Sequence, residues 1–566
     1  METKISISFL RRLFPITDWL PAYERKWLQW DLVAGVTLAS FVLPESMAYA
    51  TLAGLPAHFG IYCTLIGGLF FALFTSSRHM AVGPTSSISL MVGSTVAILS
   101  GGDPAKWIAI AGLAALCVAV LSLIAYLLRL SSMVNFISDS ILVGFKTGAA
   151  FLIMSTQLPK LFGLEAGGTN FFTRIAHLIP SLPEMHWPVF LFGLAALVIM
   201  IAGDHFFPGK PVSLGIVIVS ILLITYSGLS TMDFHITGHI PGGLPSFGRP
   251  SLSLQHADGV AELAFACFLM GYIETVSAGR TMAIKNNYTI DPRQELLSLG
   301  AANLATAFFS GYIVAGGLSQ STVNEKSGAK SPLSIIICSI TLAIILLFFT
   351  NLLTNLPEVV LAAIVLHAVM GLIKIKELKR IFQLSKMEFT IAIVALIGVL
   401  VFGILKGVIL SVILSLVFLI RKTSHPNIAI LGKVQNMNSF SDVARHPENI
   451  LLPGLLIMRI ESSIMYFNSE DIFLRILEKT DEKNPQYKMI VLDLSAAPYV
   501  DVAGSKMLMQ LARKMEEKKI KLKLVDVLSE VRDILRKQGM EELIGPIYRY
   551  STLSETVDSF ENEHKV

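Results

Sequence analysis

Two stretches, Val82-Gly83-Pro84-Thr85-Ser86-Ser87 and Gly316-Gly317-Leu318-Ser319-Gln320-Ser321, interrupt apolar spans at corresponding places in the two halves of the chain. In both, small polar residues stand where a spanning helix would carry bulky apolar ones. Paired interruptions of this kind point to a transporter built from two repeats. Backbone at membrane depth leaves the helix only where protein buries it or where it lines a wet cavity. A short helix starting at each break would aim unpaired N–H groups and a positive dipole end at that cavity, which suits an anion.

The surrounding chain fits that reading. Of 566 residues, 53% are hydrophobic and 15% charged, and the mean hydropathy is +0.65. Soluble domains carry roughly 25% charged residues. Apolar stretches able to cross a bilayer, about 20 residues each, recur from Leu32 to Ile420; 107–128, 187–201, 214–226, 334–350 and 389–420 are examples. The last is divided at Gly403-Ile404-Leu405-Lys406-Gly407. The fold class expected is a multi-pass α-helical membrane protein.

The net charge of +4 is less informative than its placement. Arg11, Arg12, Arg25 and Lys26 precede the first span; Lys374, Lys376, Lys379, Arg380 and Lys386 cluster between two late spans; Arg421 and Lys422 follow the last. Lys/Arg bias marks cytoplasmic loops, so both termini are expected inside and the span number even. Our count is fourteen, which also puts Arg78, Arg129, Lys210, Lys285 and Lys330 inside and the segments near 160–187 and 230–257 outside. Residues 31–229 and 258–421 make the simplest repeat pair. No secretory signal is expected, since the N-terminus lacks a short apolar core with a small-residue cleavage site. Cys63, Cys117, Cys267 and Cys338 stand singly in apolar spans and read as packing residues, without disulfide or metal spacing.

Composition shifts near His425-Pro426, after which charge is frequent and no spanning run remains. The expected domains are an N-terminal cytoplasmic segment (1–30), a membrane domain (31–422), a linker (423–439), a soluble α/β domain (440–556) and a tail (557–566). In the soluble part, strands at 455–460, 489–494 and 521–525 alternate with helical patterns at 469–479, 504–518 and 529–538, which implies a largely parallel sheet.

Several polar residues stand out within the spans. Glu274 lies in Gly271-Tyr272-Ile273-Glu274-Thr275. An ionisable group at mid-membrane costs about 2.5–3.5 kcal/mol, so it usually faces a cavity or a partner. It is a candidate proton carrier; the bland alternative is a protonated carboxyl joining two helices. Glu45 follows Pro44, whose missing N–H kinks the first span, and Tyr49 shares its face one turn on. Glu45 is either a site residue or a cap on freed backbone groups. Thr85, Ser86, Ser87, Ser319, Gln320 and Ser321 are neutral donors at the proposed half-helix starts, able to bind an anion weakly enough to release it, or to serve as N-caps. Lys146, in Gly144-Phe145-Lys146-Thr147-Gly148, is deep in a span; snorkelling or pairing with a carboxylate is favoured over a direct role in the site. His58, His79 and His367 are isolated, so no metal is expected. No nucleophile elbow, phosphate loop or paired catalytic carboxylates occur, which argues against an enzyme and against any cofactor. Nothing points to nucleic acid.

These segments resemble the SulP family of anion permeases, the solute carrier family 26 of animals. The resemblance runs from about Asp31 to the C-terminus. It is carried by Pro44-Glu45-Ser46-Met47-Ala48-Tyr49-Ala50 through Ala53-Gly54-Leu55-Pro56 and Gly60-Ile61-Tyr62, by Ser77-Arg78-His79 leading to Val82-Gly83-Pro84, and by Gly144-Phe145 with Thr147-Gly148. Asn303 to Ser319-Gln320-Ser321-Thr322-Val323-Asn324, then Ser327-Gly328-Ala329-Lys330, is similar to the family's ninth and tenth spans. Leu452-Pro453-Gly454-Leu455-Leu456-Ile457 and Val491-Leu492-Asp493-Leu494-Ser495 resemble its C-terminal STAS domain.

The resemblance implies a seven-plus-seven inverted repeat divided into core and gate bundles, a site between the third and tenth half-helices, and homodimers working as elevators. It implies transport of sulfate, bicarbonate, chloride, oxalate or dicarboxylates, with proton coupling at Glu274. Three departures bear on this. Glu45 stands where the family commonly has glutamine, and Gln320 where it often has arginine; both changes weaken attraction for a dianion unless Glu45 is protonated or Lys146 compensates. Ala503, in Asp501-Val502-Ala503-Gly504, replaces the phosphorylatable residue of related bacterial STAS domains, so regulation there is not expected.

The function expected is proton-coupled symport of sulfate or a similar oxyanion across the inner (plasma) membrane, with H⁺ or, in its place, Na⁺ as the coupling ion. Glu274 would carry the proton; Thr85 and Ser319 would start the half-helices; Glu45, Tyr49, Ser86, Ser87 and Gln320 would line the site. A cytoplasmic protein is a candidate partner for the STAS domain. Alternatives are a bicarbonate or C4-dicarboxylate carrier on the same scaffold and, more remotely, a membrane-tethered STAS regulator. Nucleobase permeases share the architecture but lack the soluble domain.

Overall fold

The structure is a computed structural model that describes residues 14–101, 103–132, 138–168, 170–207, 210–226, 234–250, 257–481, 487–549 and 551–564. Arg11 and Arg12, parts of the loops near 160–187 and 230–257, and the end of the tail lie outside the described residues. The chain divides into two compact units, Met1–Ser415 and Leu416–Val566.

The first unit is helical. In its first half, α1 (Leu28–Leu52), α2 (His58–Phe74), strand β1 (Val82–Gly83), α3 (Ser86–Ser100), α4 (Pro104–Leu127) and α5 (Asp139–Phe162) precede an amphipathic α6 (Phe171–Ser181), then α7 (Trp187–Phe206) and α8 (Val212–Tyr226). The second half repeats that order: α9 (Ala257–Lys285), α10 (Pro292–Phe308), β2 (Ala315–Gly316), α11 (Leu318–Lys326), α12 (Leu333–Phe348), α13 (Glu358–Met370), an amphipathic α14 (Ile375–Leu384) and α15 (Lys386–Ser424). Helix α15 is interrupted at Gly403, whose φ of 83° only glycine adopts freely. Among the described residues seven helical stretches, from Arg25–Leu52 to Lys386–Gly407, are long and apolar enough to cross a membrane, and α2, α3, α8 and α12 are shorter apolar helices.

The spans pack through small residues, which let helix backbones approach closely. A Cβ on Gly35 would strike Ser334 O of α12, and one on Gly60 would strike Ser46 O of α1. Gly144 and Gly148 of α5 lie against the backbone of Ala392 and Leu396 in α15. Packing groups α1–α4 with α9–α12, and α5 and α7 with α13. Two buried carboxylates tie the first group together. Asp31 accepts from Lys330 N (2.6 Å), Ser331 N (3.2 Å) and Ser331 Oγ (2.7 Å), holding the loop before α12. Glu295, which the sequence reading passed over, accepts from Ser76 N (2.9 Å) and Ser76 Oγ (2.6 Å) and from Thr75 Oγ1, holding the loop after α2.

The second unit contains a five-stranded sheet in the order β4 (Phe440–Asp442), β3 (Ile428–Lys433), β5 (Leu455–Ile460), β6 (Met489–Asp493), β7 (Lys521–Val525). Strands β5, β6 and β7 are parallel, β3 antiparallel to its neighbours. Alternation along β5 sends Leu456, Met458 and Ile460 into one core with helices α16 (Ser469–Asp481), α17 (Val502–Glu517), α18 (Ser529–Lys537) and α19 (Met540–Ile544). Leu455 and Ile457 face the other way, onto Val557 and Phe560 of α20 (Leu553–His564). The three strands and three helices expected from the sequence are present within two residues at each end. Strand β3 begins inside the stretch expected to be linker. Ile428 and Ile430 pack on one core and Ala429 and Leu431 on the other, so both faces are covered and no polar alternation marks the strand; six residues beside a proline carry little periodic signal.

Candidate functional site

The two breaks meet. Val82 pairs with Gly316 and Gly83 with Ala315 in an antiparallel ladder of two residues per strand, and Gly317 N donates to Ala81 O at 3.1 Å. Equivalent elements that meet antiparallel are related by a two-fold turn, the relation an inverted repeat has. Within three residues of the ladder α3 and α11 begin. Their N-cap residues, Thr85 and Gly317, are extended, and neither start is closed by a side-chain cap. First-turn amides at both tips are thus left for another acceptor.

Polar side chains hold the ladder. Thr275 Oγ1 of α9 accepts from Gly316 N at 2.9 Å, and Ser321 Oγ accepts from Ala81 N at 3.0 Å. Asn303 of α10 accepts from Val314 N at 3.0 Å and donates to Val314 O at 3.0 Å. All three residues are fully buried. Ser321 was among the expected donors, but it serves the backbone rather than the tip. Thr275 and Asn303 were quoted in the sequence reading without a role. Their signal is weak: a small polar residue within an apolar run.

The candidate residues fall into two clusters. In the first, Ser87 Oγ donates to Glu274 Oε1 (2.7 Å) and Thr85 Oγ1 to Glu274 Oε2 (3.1 Å), so both carboxylate oxygens are held by the tip of α3. In the second, Tyr49 OH donates to Glu45 Oε1 (3.0 Å) and Gln320 Nε2 to Glu45 Oε2 (3.1 Å), bringing α1 to the tip of α11. Gln320 Nε2 also reaches Pro84 O at 3.4 Å. Ser86 is buried at the first position of α3, between Thr85 and Ser87.

Gln320 is wedged where the breaks cross. A Cβ on Gly83 would stand 3.2 Å from its Oε1, and one on Gly317 3.1 Å from its Cδ; bulkier residues at either position would expel the amide. Its Oε1 is buried and has no hydrogen-bond partner among the described residues. Ser319 stands apart, exposed on α11 and in no described hydrogen bond. Lys146 is half-buried on α5. Among the described residues no group of His, Cys, Asp and Glu could hold a metal, and the four cysteines are free thiols.

Membrane-length helices arranged around two half-helix tips, followed by a sheet-and-helix domain, define a carrier-type membrane protein. Residues 28–395 match the model of the sulfate permease family and residues 444–559 that of the STAS domain. The chain is 30% identical to the probable sulfate transporter 3.3 of Arabidopsis thaliana, over 97% of this chain and 90% of that protein. It is 28% identical to the probable sulfate transporter MT1781 of Mycobacterium tuberculosis, over 95% of this chain and 96% of that protein. The solved structure of SLC26A9 shares the fold, with TM-score 0.87, 21% identity and coverage of 100% of this chain and 96% of that one. The chain belongs to the sulfate permease family.

Proposed function

We propose that this protein is a proton-coupled anion symporter of the inner membrane, with sulfate or a similar oxyanion as substrate. The observation that carries the reading is the bonding of both Glu274 oxygens to Thr85 and Ser87 at the tip of α3. A charged Glu274 occupies the hydroxyls an anion needs and repels that anion. A proton on Glu274 removes the charge and lets the hydroxyls turn to the substrate, so proton and anion enter together. The uncapped amides of α3 and α11 complete the acceptor-seeking surface.

The fourteen segments we assign are α1–α5, α7 and α8, then α9–α13 and the two limbs of α15, with α6 and α14 lying along the membrane surface. All eight site residues lie on α1, α3, α9 and α11 or at their caps. An elevator movement would therefore carry the site as one body past α5, α7, α8, α13 and α15. Both termini are cytoplasmic in this reading, and the protein is a homodimer.

A bicarbonate or C4-dicarboxylate substrate is the second reading. Bicarbonate, the monoanion of the two, is favoured by the Glu45–Gln320 contact, which puts a carboxylate and a neutral amide, rather than a cation, beside the α11 tip.

Uptake of radiolabelled sulfate, bicarbonate, fumarate and chloride into proteoliposomes, with and without pH and Na⁺ gradients, tests the proposal. Acid outside should drive accumulation of one of them. Glu274→Gln should abolish that accumulation while anion exchange persists. Accumulation by Glu274→Gln with wild-type pH dependence would overturn the coupling role.

A further inference from the structure

The two carboxyls beside the tips, Glu45 buried and Glu274 half-buried, leave open which cation the anion meets. Helix α5 supplies a candidate. Gly144 and Gly148 turn one face of α5 onto the backbone of α15. Lys146 lies two residues from each, and so roughly on the opposite side of the helix. Helix α5 also packs against α3, the helix whose tip holds Glu274. Farther along, Ile141 of α5 shares a small buried cluster with Ala395 of α15 and Ile273, the neighbour of Glu274 on α9, and Leu142 packs against that cluster; Leu142 and Lys146 are one turn apart on a shared face. Lys146 is half-buried seven residues into a helix of 24 residues, deep for an ammonium meant to snorkel to the interface. Among the described residues the hydrogen-bond partners of Glu274 are the hydroxyls of Thr85 and Ser87, neither of them a cation.

We propose that Lys146 is the cation of the anion site, facing Glu274 across the seam between the two helix groups when the site is empty and facing the anion when it is occupied. The inference rests on the transport reading and deepens it. In the empty carrier Lys146 and Glu274 cancel. When a proton binds the Glu274 carboxylate, the ammonium loses its counter-charge and becomes the strongest attraction for an entering anion. Lys146 thereby takes the place of a cation at position 320, where this chain has a neutral amide. Because α5 belongs to the packing group that does not carry Glu274, the charge contact is made only where the two groups are in register. An occupied carrier would then cross the membrane with its anion leaving Lys146 behind, so the lysine acts on capture rather than on carriage.

Two measurements on the full chain test this. The first is a thermal-unfolding cycle on purified Lys146→Gln, Glu274→Gln and the double variant without added substrate. The Tm loss of the double variant should be smaller than the sum of the single losses; an additive cycle overturns the pairing. The second is uptake in proteoliposomes. Lys146→Gln should raise the KM for radiolabelled sulfate about tenfold or more, while Lys146→Arg, which keeps the charge, stays within about threefold. An unchanged KM in a folded Lys146→Gln protein overturns the anion role. Should the wild type move none of sulfate, bicarbonate and fumarate, the transport reading fails and the anion role of Lys146 with it, while the thermal cycle still decides whether the pair exists.

Discussion

Glu45 shows how one atom changes the chemistry of this site. Its two oxygens accept from Tyr49 and Gln320, and the carboxylate is buried without a described ion-pair partner. Glu45→Gln removes a negative charge beside the anion path. If the Gln320 amide turns over, its orphaned Oε1 accepts from the new side chain and the link between residues 45 and 320 is kept, with only the long Nε2 contact to Pro84 O lost. Stability should then hold within about 1 kcal/mol by thermal unfolding, and the KM for an anion should fall about twofold to tenfold. Glu45→Ala leaves Tyr49 and Gln320 without their acceptor and should cost about 1–3 kcal/mol. The residues themselves were legible in the sequence: Glu45, Tyr49, Thr85, Ser87, Gln320 and Glu274 are polar groups in apolar surroundings. Their partnerships were not. Thr85 and Glu274 are 189 positions apart and Gln320 and Glu45 275 apart, and no local pattern records contacts that only the packing of distant helices creates.

At the scale of elements, the breaks were readable because glycine, proline and hydroxyl residues punctuate an apolar run, and the Gly403 interruption was readable for the same reason. Strands β1 and β2 were not, since two residues have no period to detect. What keeps so short a ladder in place is the side chains under it. Thr275→Val, which conserves shape and removes the acceptor of the Gly316 N–H together with the hydroxyl that donates to Gly271 O (2.6 Å), tests this. It should cost about 1–3 kcal/mol, because that amide is left buried and unpaired. It should also lower the maximal uptake rate without a matching loss of Glu274-dependent pH response, because Glu274 is held from the α3 side. An unchanged melting temperature in Thr275→Val would mean that the ladder is held by the backbone alone.

At the scale of the whole molecule, the composition shift near His425-Pro426 coincides with the end of α15 at Ser424, while the division into compact units falls earlier, after Ser415. Strand β3 was hidden because a short run after a proline resembles a linker. In the second unit Asp501 caps α17 by accepting from Gly504 N at 2.7 Å and also accepts from Tyr466 N at 2.8 Å. Ala503 offers only a methyl group in that turn, so the hydroxyl on which a phosphate switch would act is missing. Every described hydrogen bond of the proposed anion site, by contrast, lies in the first unit. A protein cut after Lys422 keeps Glu45, Thr85, Ser87, Lys146, Glu274 and Gln320 with all their described partners. Reconstituted in proteoliposomes, it should take up the same anion with a KM within about threefold of the full chain, since affinity follows the local contacts of a site. Its maximal rate is free to change. The alternative class, a membrane-tethered regulator, assigns the function to the soluble domain and demands the reverse: no anion uptake by the full chain or by the truncated one. The two readings therefore part on a single uptake comparison.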